Sequence, residues 1–164
     1  MRILLITTSD NEVRDTLQKI AEVELSVIDC ATHTSHSREN MEASFFSELK
    51  TSFAQDVFPD VIITYRCPFI IPRDIYSKAC IGAYNIHPSL LPKYRGLNPW
   101  DEIFRNKESE TGVTIHQMSE SIDDGPIVLQ SSFMIEESDT IDTSRMKSDQ
   151  HAAQLVNQLI KIIT

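Results

Sequence analysis

The chain of 164 residues is 41% hydrophobic and 24% charged, and its 15 basic against 24 acidic residues leave a net charge of -9. That surplus of acid repels phosphate backbones and anionic lipids. With no Lys/Arg cluster beyond Lys93 and Arg95, it argues against direct nucleic-acid binding and against a membrane role.

Such a length suits one domain able to bury about two thirds of its unfolded surface. Residues 3–7 form a short apolar run that predicts a buried strand, and residues 11–22 follow with helical spacing at Val13, Leu17, Ile20 and Ala21. Residues 24–28 alternate and predict a second strand. The polar stretch 30–42 reads as a loop, followed by a helix over 43–55 with Phe45, Phe46, Leu49 and Phe53 on one face. Val61, Ile62 and Ile63 predict a third strand, Pro72 suits the first turn of a short helix reaching Lys78, and residues 81–86 predict a fourth strand. Asn98 is placed to cap a helix over 98–106 with Pro99 in its first turn. Residues 111–118 and 127–135 read as two more strands joined by a loop. From about Asp142 onward, Ala152, Leu155, Val156, Leu159, Ile160 and Ile163 mark a C-terminal amphipathic helix.

Strands alternating with helices predict a single α/β domain over 1–164, Rossmann-like, with a mostly parallel sheet. No apolar run approaches a membrane span. Cys30, Cys67 and Cys80 read as free thiols of a reducing compartment, so a cytoplasmic location is expected. Cys30, His33 and His36 recur every three residues, but no fourth ligand lies at zinc spacing, so no metal site is expected. All four glycines and all seven prolines fall between Pro59 and Pro126, which puts the unusual backbone, and the expected function, in the middle of the chain.

That middle holds Asn85-Ile86-His87-Pro88-Ser89-Leu90-Leu91-Pro92, then Tyr94-Arg95-Gly96, then Thr111-Gly112-Val113-Thr114 leading to His116, then Asp123-Asp124-Gly125. Asn85 and His87 share one side of an extended segment at the end of a strand, where open α/β sheets bind ligands. By spacing alone the pair is equally a polar strand end whose histidine bonds a carbonyl. Together these motifs closely resemble the formyltransferase family that uses 10-formyltetrahydrofolate, most strongly over residues 60–130.

The resemblance implies an N-formyltransferase whose catalytic residues are Asn85, His87 and Asp123. An uncharged amide suits donation to an oxyanion, an imidazole suits proton transfer near neutrality, and a carboxylate suits holding that imidazole. It further implies that Phe69, Ile70 and Ile71 contact the folate, with Met118, Ser121 and Ile122 on the opposite wall. It also suggests a cis bond at Leu91-Pro92. His116 would shape the site behind Asp123, and Asp124 reads as a solvated loop carboxylate.

Two departures narrow the acceptor. Family members acting on a ribonucleotide carry a glycine-rich turn after the first strand, where this chain has Thr7-Thr8-Ser9-Asp10-Asn11. Members acting on tRNA add a further domain, which a chain ending at Thr164 is expected to lack. The expected acceptor is therefore a small-molecule amine, with an amino sugar on a nucleotide or an aminoacyl group on a carrier among the candidates. A 10-formyltetrahydrofolate hydrolase and a non-catalytic folate-binding domain are the alternatives. The sequence carries no sign of oligomeric state.

Overall fold

The computed structural model describes residues 1–8, 11–32, 37–53 and 58–164. A six-stranded sheet in the order β2-β1-β3-β4-β5-β6 forms its centre. Strands β1 (Arg2–Thr7), β2 (Glu24–Asp29), β3 (Val61–Tyr65) and β4 (Gly82–His87) run parallel, whereas β5 (Glu110–Gln117) is antiparallel to β4 and β6 (Ile127–Met134) to β5.

Strand alternation sorts the apolar residues onto two faces. Ile3 and Leu5, Val61 and Ile63, Tyr84 and Ile86, and Val113 and Ile115 form one core with helices α1 (Glu12–Gln18) and α5 (Ile141–Ile163), including Val13, Leu17, Ala152, Leu155, Val156 and Leu159. Leu4, Ile6, Ile62 and Ala83 point the other way, onto Phe45 and Leu49 of α2 (Arg38–Ser52) and Ile75 of α3 (Arg73–Tyr76). Helix α4 (Pro99–Arg105) adds Trp100 and Ile103 to a third, smaller cluster with Phe133. The mostly parallel sheet with flanking helices and a C-terminal helix matches the expected architecture.

Four elements depart from the sequence reading at their boundaries. Helix α2 begins at Arg38, inside the stretch read as loop, because Ser37 caps it by accepting a hydrogen bond from the Asn40 N–H at 3.2 Å. Residues 38–42 are polar apart from the half-buried Met41, and one apolar residue in a first turn shows no periodicity that could reveal it. The helix ends at Ser52 with Phe53 as its C-cap, and Ala54 and Gln55 of the expected extension lie outside the described residues, as do His33 and His36. Helix α1 stops at Gln18 rather than Glu22, since the N–H groups of Lys19 and Ile20 close onto the carbonyls of Thr16 and Leu17 in tight turns. Pro72 precedes α3 as its N-cap instead of entering its first turn, and the helix ends at Tyr76 rather than Lys78. Finally, β4 runs through His87, so the histidine belongs to the strand itself.

Candidate active site

A polar row crosses three strands at one register. Thr64 pairs with Asn85 and Asn85 with His116, all on the α2 side of the sheet. The Thr64 hydroxyl donates to Asn85 Oδ1 at 2.7 Å. Asn85 Nδ2 then faces two acceptors, Asp123 Oδ1 at 3.2 Å and His116 Nε2 at 3.1 Å. This orientation of the amide follows from chemistry, because an ionised carboxylate only accepts. His116 Nδ1–H donates to the Gln117 carbonyl at 2.9 Å, which leaves Nε2 as the acceptor for Asn85.

His87 is buried, and its Nε2–H donates to the Tyr94 carbonyl at 2.7 Å. The neutral ring therefore keeps its lone pair on Nδ1, which lies 3.4 Å from Asp123 Oδ2. The Gly96 N–H donates to the same carboxylate oxygen at 2.8 Å. Left-handed backbone at Tyr94 (φ 58°), Gly96 (φ 97°) and Asp123 (φ 50°) turns these groups inward. Asp123 sits on the loop between β5 and β6, which folds back over β4. Its neighbour Asp124 turns away to pair with Arg95 at 2.6 Å, outside the hydrogen-bonded cluster.

Burial lowers the pKa of His87 below its ordinary value near 6.5. The Asp123 carboxylate and the Tyr94 carbonyl counter part of that effect, and His116 adds to it. For Asp123, burial pushes upward, but the His116 contact, His87 and the Gly96 N–H together outweigh it and hold the carboxyl below its usual 3.8. Between the lowered folded pKa of His87 and its ordinary value, the unfolded chain binds more protons than the folded one. The corresponding stability is thus present above pH about 6.5 and is lost as pH falls toward the folded value. Asp123 adds a second loss, below pH about 3.8, as its carboxylate is finally protonated. Melting temperature should therefore fall more steeply between neutral pH and pH about 5 in the wild type than in His87→Gln, whose side chain does not titrate. Equal slopes would show that His87 is not held neutral by the fold.

A cavity of about 640 Å³ opens over this cluster, within the range of small-molecule sites. It is lined by Asn85, His87 and Asp123 and also by Phe69, Ile70, Ile71, Met118, Ser121 and Ile122, so all nine expected residues border one space. The rings and chains divide their work. Phe69 stacks on Phe45 at 4.6 Å and is buried with Ile71 in the α2 core, whereas Ile70 and Ile122 are 66% and 57% exposed. The segment after β3 therefore meets the cavity through its backbone and Ile70. Leu91-Pro92 is cis.

Sequence reasoning missed several wall residues. Thr64 and the backbone of Tyr94 and Gly96 position the cluster, and nothing in their side-chain pattern announces it. Arg145 and Ser148 of α5 reach the cavity from the other face of the domain, and the buried Ser148 hydroxyl has no hydrogen-bond partner among the described residues. Among those residues no group of three or more His, Cys, Asp or Glu could hold a metal ion, and no helix is long and apolar enough to cross a membrane.

Residues 2–160 match the family described as Formyl transferase. The chain is 46% identical over 90 residues to a methionyl-tRNA formyltransferase of Thermotoga sp. (strain RQ2), covering 55% of this chain and 29% of that protein. It is 34% identical over 135 residues to the methionyl-tRNA formyltransferase of Wolbachia pipientis subsp. Culex pipiens (strain wPip), covering 80% of this chain and 45% of that one. The chain thus spans less than half the length of either relative. In structure it superimposes on phosphoribosylglycinamide formyltransferase from Anaplasma phagocytophilum with a TM-score of 0.73 at 22% identity, covering 93% of this chain and 81% of the other. A polar row of this kind at the middle of such a sheet, with a family match over nearly the whole sequence, leads to one conclusion: the chain belongs to the formyl transferase family.

Proposed function

We propose that the protein is an N-formyltransferase that moves the formyl group of 10-formyltetrahydrofolate onto a primary amine, using Asn85, His87 and Asp123. The observation that carries this reading is the convergence of those three side chains at the floor of the cavity, where Asn85 donates to Asp123 and His87 Nδ1 stands 3.4 Å from the same carboxylate. The donor's pterin lies along residues 69–71, with Met118, Ser121 and Ile122 opposite, where backbone groups can read its edge.

In the transfer, the amine nitrogen bonds to the formyl carbon and the carbonyl oxygen becomes an oxyanion. Asn85 has two amide hydrogens and both are engaged, one by a carboxylate and one by neutral His116. The bond to the neutral ring is the weaker, so it is the one that yields to the oxyanion. The buried, neutral His87 offers Nδ1 as the base for the proton lost by the amine. Asp123 then stabilises the imidazolium, which returns the proton to the departing folate nitrogen as the carbon–nitrogen bond breaks.

The acceptor reaches the cavity from the side of Arg145 and Ser148, whose unpartnered hydroxyl gives it a hydrogen-bonding group. The names of the sequence relatives favour an aminoacyl amine on tRNA as the first acceptor to test, and an amino sugar on a nucleotide is the second. Incubation with 10-formyltetrahydrofolate and each amine, while tetrahydrofolate release is followed, separates the readings. Release that depends on one amine supports transfer and names the acceptor. Release at full rate with no amine would make the protein a hydrolase, and donor binding with no release over the panel would make it a folate-binding domain.

A further inference from the structure

Strands β2 and β3 flank β1, with Thr7 opposite Asp29 on one side and Tyr65 on the other. The loops leaving β2 and β3 therefore emerge at the same end of the sheet, separated by two strand spacings of roughly 5 Å each. Cys30 is the first residue after β2 and Cys67 the second after β3, and their side chains bridge that gap: Cys30 Sγ lies 3.6 Å from Cys67 Sγ. Cys30 is buried, while Cys67 is half-buried and lines the cavity that holds Asn85 and His87. Cys80 is exposed.

From this geometry we propose that Cys30 and Cys67 are a reversible oxidation site, closing to a disulfide across the carboxyl end of β1 beside the wall that carries Phe69. A disulfide sulfur pair is about 2.05 Å apart, so closure asks for roughly 1.5 Å of approach between two loops. The hydrogen bonds already sort the two thiols. Cys30 S–H donates to Cys67, which stabilises a thiolate there and pushes the Cys67 pKa down and that of Cys30 up. The nucleophile is thus the thiol that small solutes can reach.

With hydrogen peroxide as oxidant, Cys67 gives up its proton, its thiolate attacks one peroxide oxygen, the O–O bond breaks, and a sulfenic acid forms while the departing hydroxide takes up that proton as water. Cys30 sulfur then attacks the Cys67 sulfur and displaces the sulfenic oxygen, and the Cys30 proton ends on the oxygen that leaves. In sum, two thiols and one peroxide become one disulfide and two waters.

Closure acts on the neighbouring wall. In its thiol form Cys67 donates its S–H to the Phe69 carbonyl at 3.4 Å, and the disulfide has no proton to give. The Phe69 carbonyl loses that partner and Cys67 is drawn toward β2, so the 69–71 segment shifts. This second consequence rests on the donor reading above; the disulfide itself does not.

The test treats wild-type protein with hydrogen peroxide, alkylates the remaining thiols and maps peptides by mass spectrometry without reduction. The expected result is a linked Cys30–Cys67 peptide that dithiothreitol reverses, with Cys80 alkylated and no link in Cys67→Ser. Free Cys30 and Cys67 after treatment, or a Cys67 carried on to sulfinic acid with no link, would overturn the proposal. Titration of a folate analogue into reduced and oxidised protein reads the effect on the wall: binding should be several-fold weaker once oxidised, and equal affinity would refute the coupling. A reduced protein that binds no folate analogue removes the donor reading and the coupling together, and the linked peptide alone then decides the disulfide.

Discussion

Replacing Asn85 by alanine is expected to lower formyl transfer by a factor of roughly 100 to 1000, the usual cost of one oxyanion donor. The same change leaves the Thr64 hydroxyl, His116 Nε2 and one oxygen of Asp123 without their partner. Folate-analogue affinity should change little, since the walls at residues 69–71 and 118–122 do not bond to Asn85. Asn85→Asp discriminates further. It keeps the shape of the side chain but sets a second carboxylate beside Asp123, and like charges at that distance cannot both ionise comfortably. Its loss should therefore be at least as large as that of alanine. His87→Ala should lose roughly 100-fold or more, again with donor binding retained. Single-turnover transfer alongside analogue titration measures both quantities. Full activity in Asn85→Ala or His87→Ala would remove these residues from the chemistry.

The second large effect is expected at Gly125. A Cβ built there would stand 1.8 Å from the Gln117 carbonyl oxygen and 3.4 Å from His116 Nδ1. Those two atoms are bonded to each other, and the Gln117 N–H in turn donates to the Pro126 carbonyl at 2.9 Å. The position is closed to a side chain by backbone, which yields far less readily than a flexible side-chain tip. Gly125→Ala should therefore push the β5–β6 loop off the sheet and carry Asp123 with it. A stability loss of about 1–3 kcal/mol is expected from overpacking. Displacing Asp123 by about an ångström should cost on the order of 100-fold in transfer. Chemical denaturation and single-turnover kinetics on the same preparation test the pair. A variant as stable and as active as the wild type would show that the loop is not held by this close approach.

These two sites differ in how far the sequence reveals them. Asn85 and His87 stand out because strand alternation puts both on one side of a strand and because the surrounding motif resembles a known family. Gly125 is visible as part of the Asp-Asp-Gly pattern, but the carbonyl that excludes a side chain from it belongs to a residue on β5. Thr64 shows no signal at all. It is one more polar residue at a strand end until β3 and β4 pair and set it against Asn85. Tyr94 and Gly96 contribute a carbonyl and an amide, which every sequence position carries and no sequence pattern can single out. The start of α2 was hidden for a different reason: its first turn depends on the Ser37 cap, not on an apolar stripe.

The sequence by itself determined the order and type of the elements and supplied the residue types on which the proposed transfer rests, because hydrophobic periodicity and side-chain chemistry are local properties. The tertiary structure decided which groups act together. It joined Thr64, Asn85 and His116 into one row, turned Asp123 back onto His87, brought α5 to the cavity and set Cys30 against Cys67. Each of those contacts joins segments far apart in the chain, and only strand pairing and loop closure create the distances on which the chemistry depends.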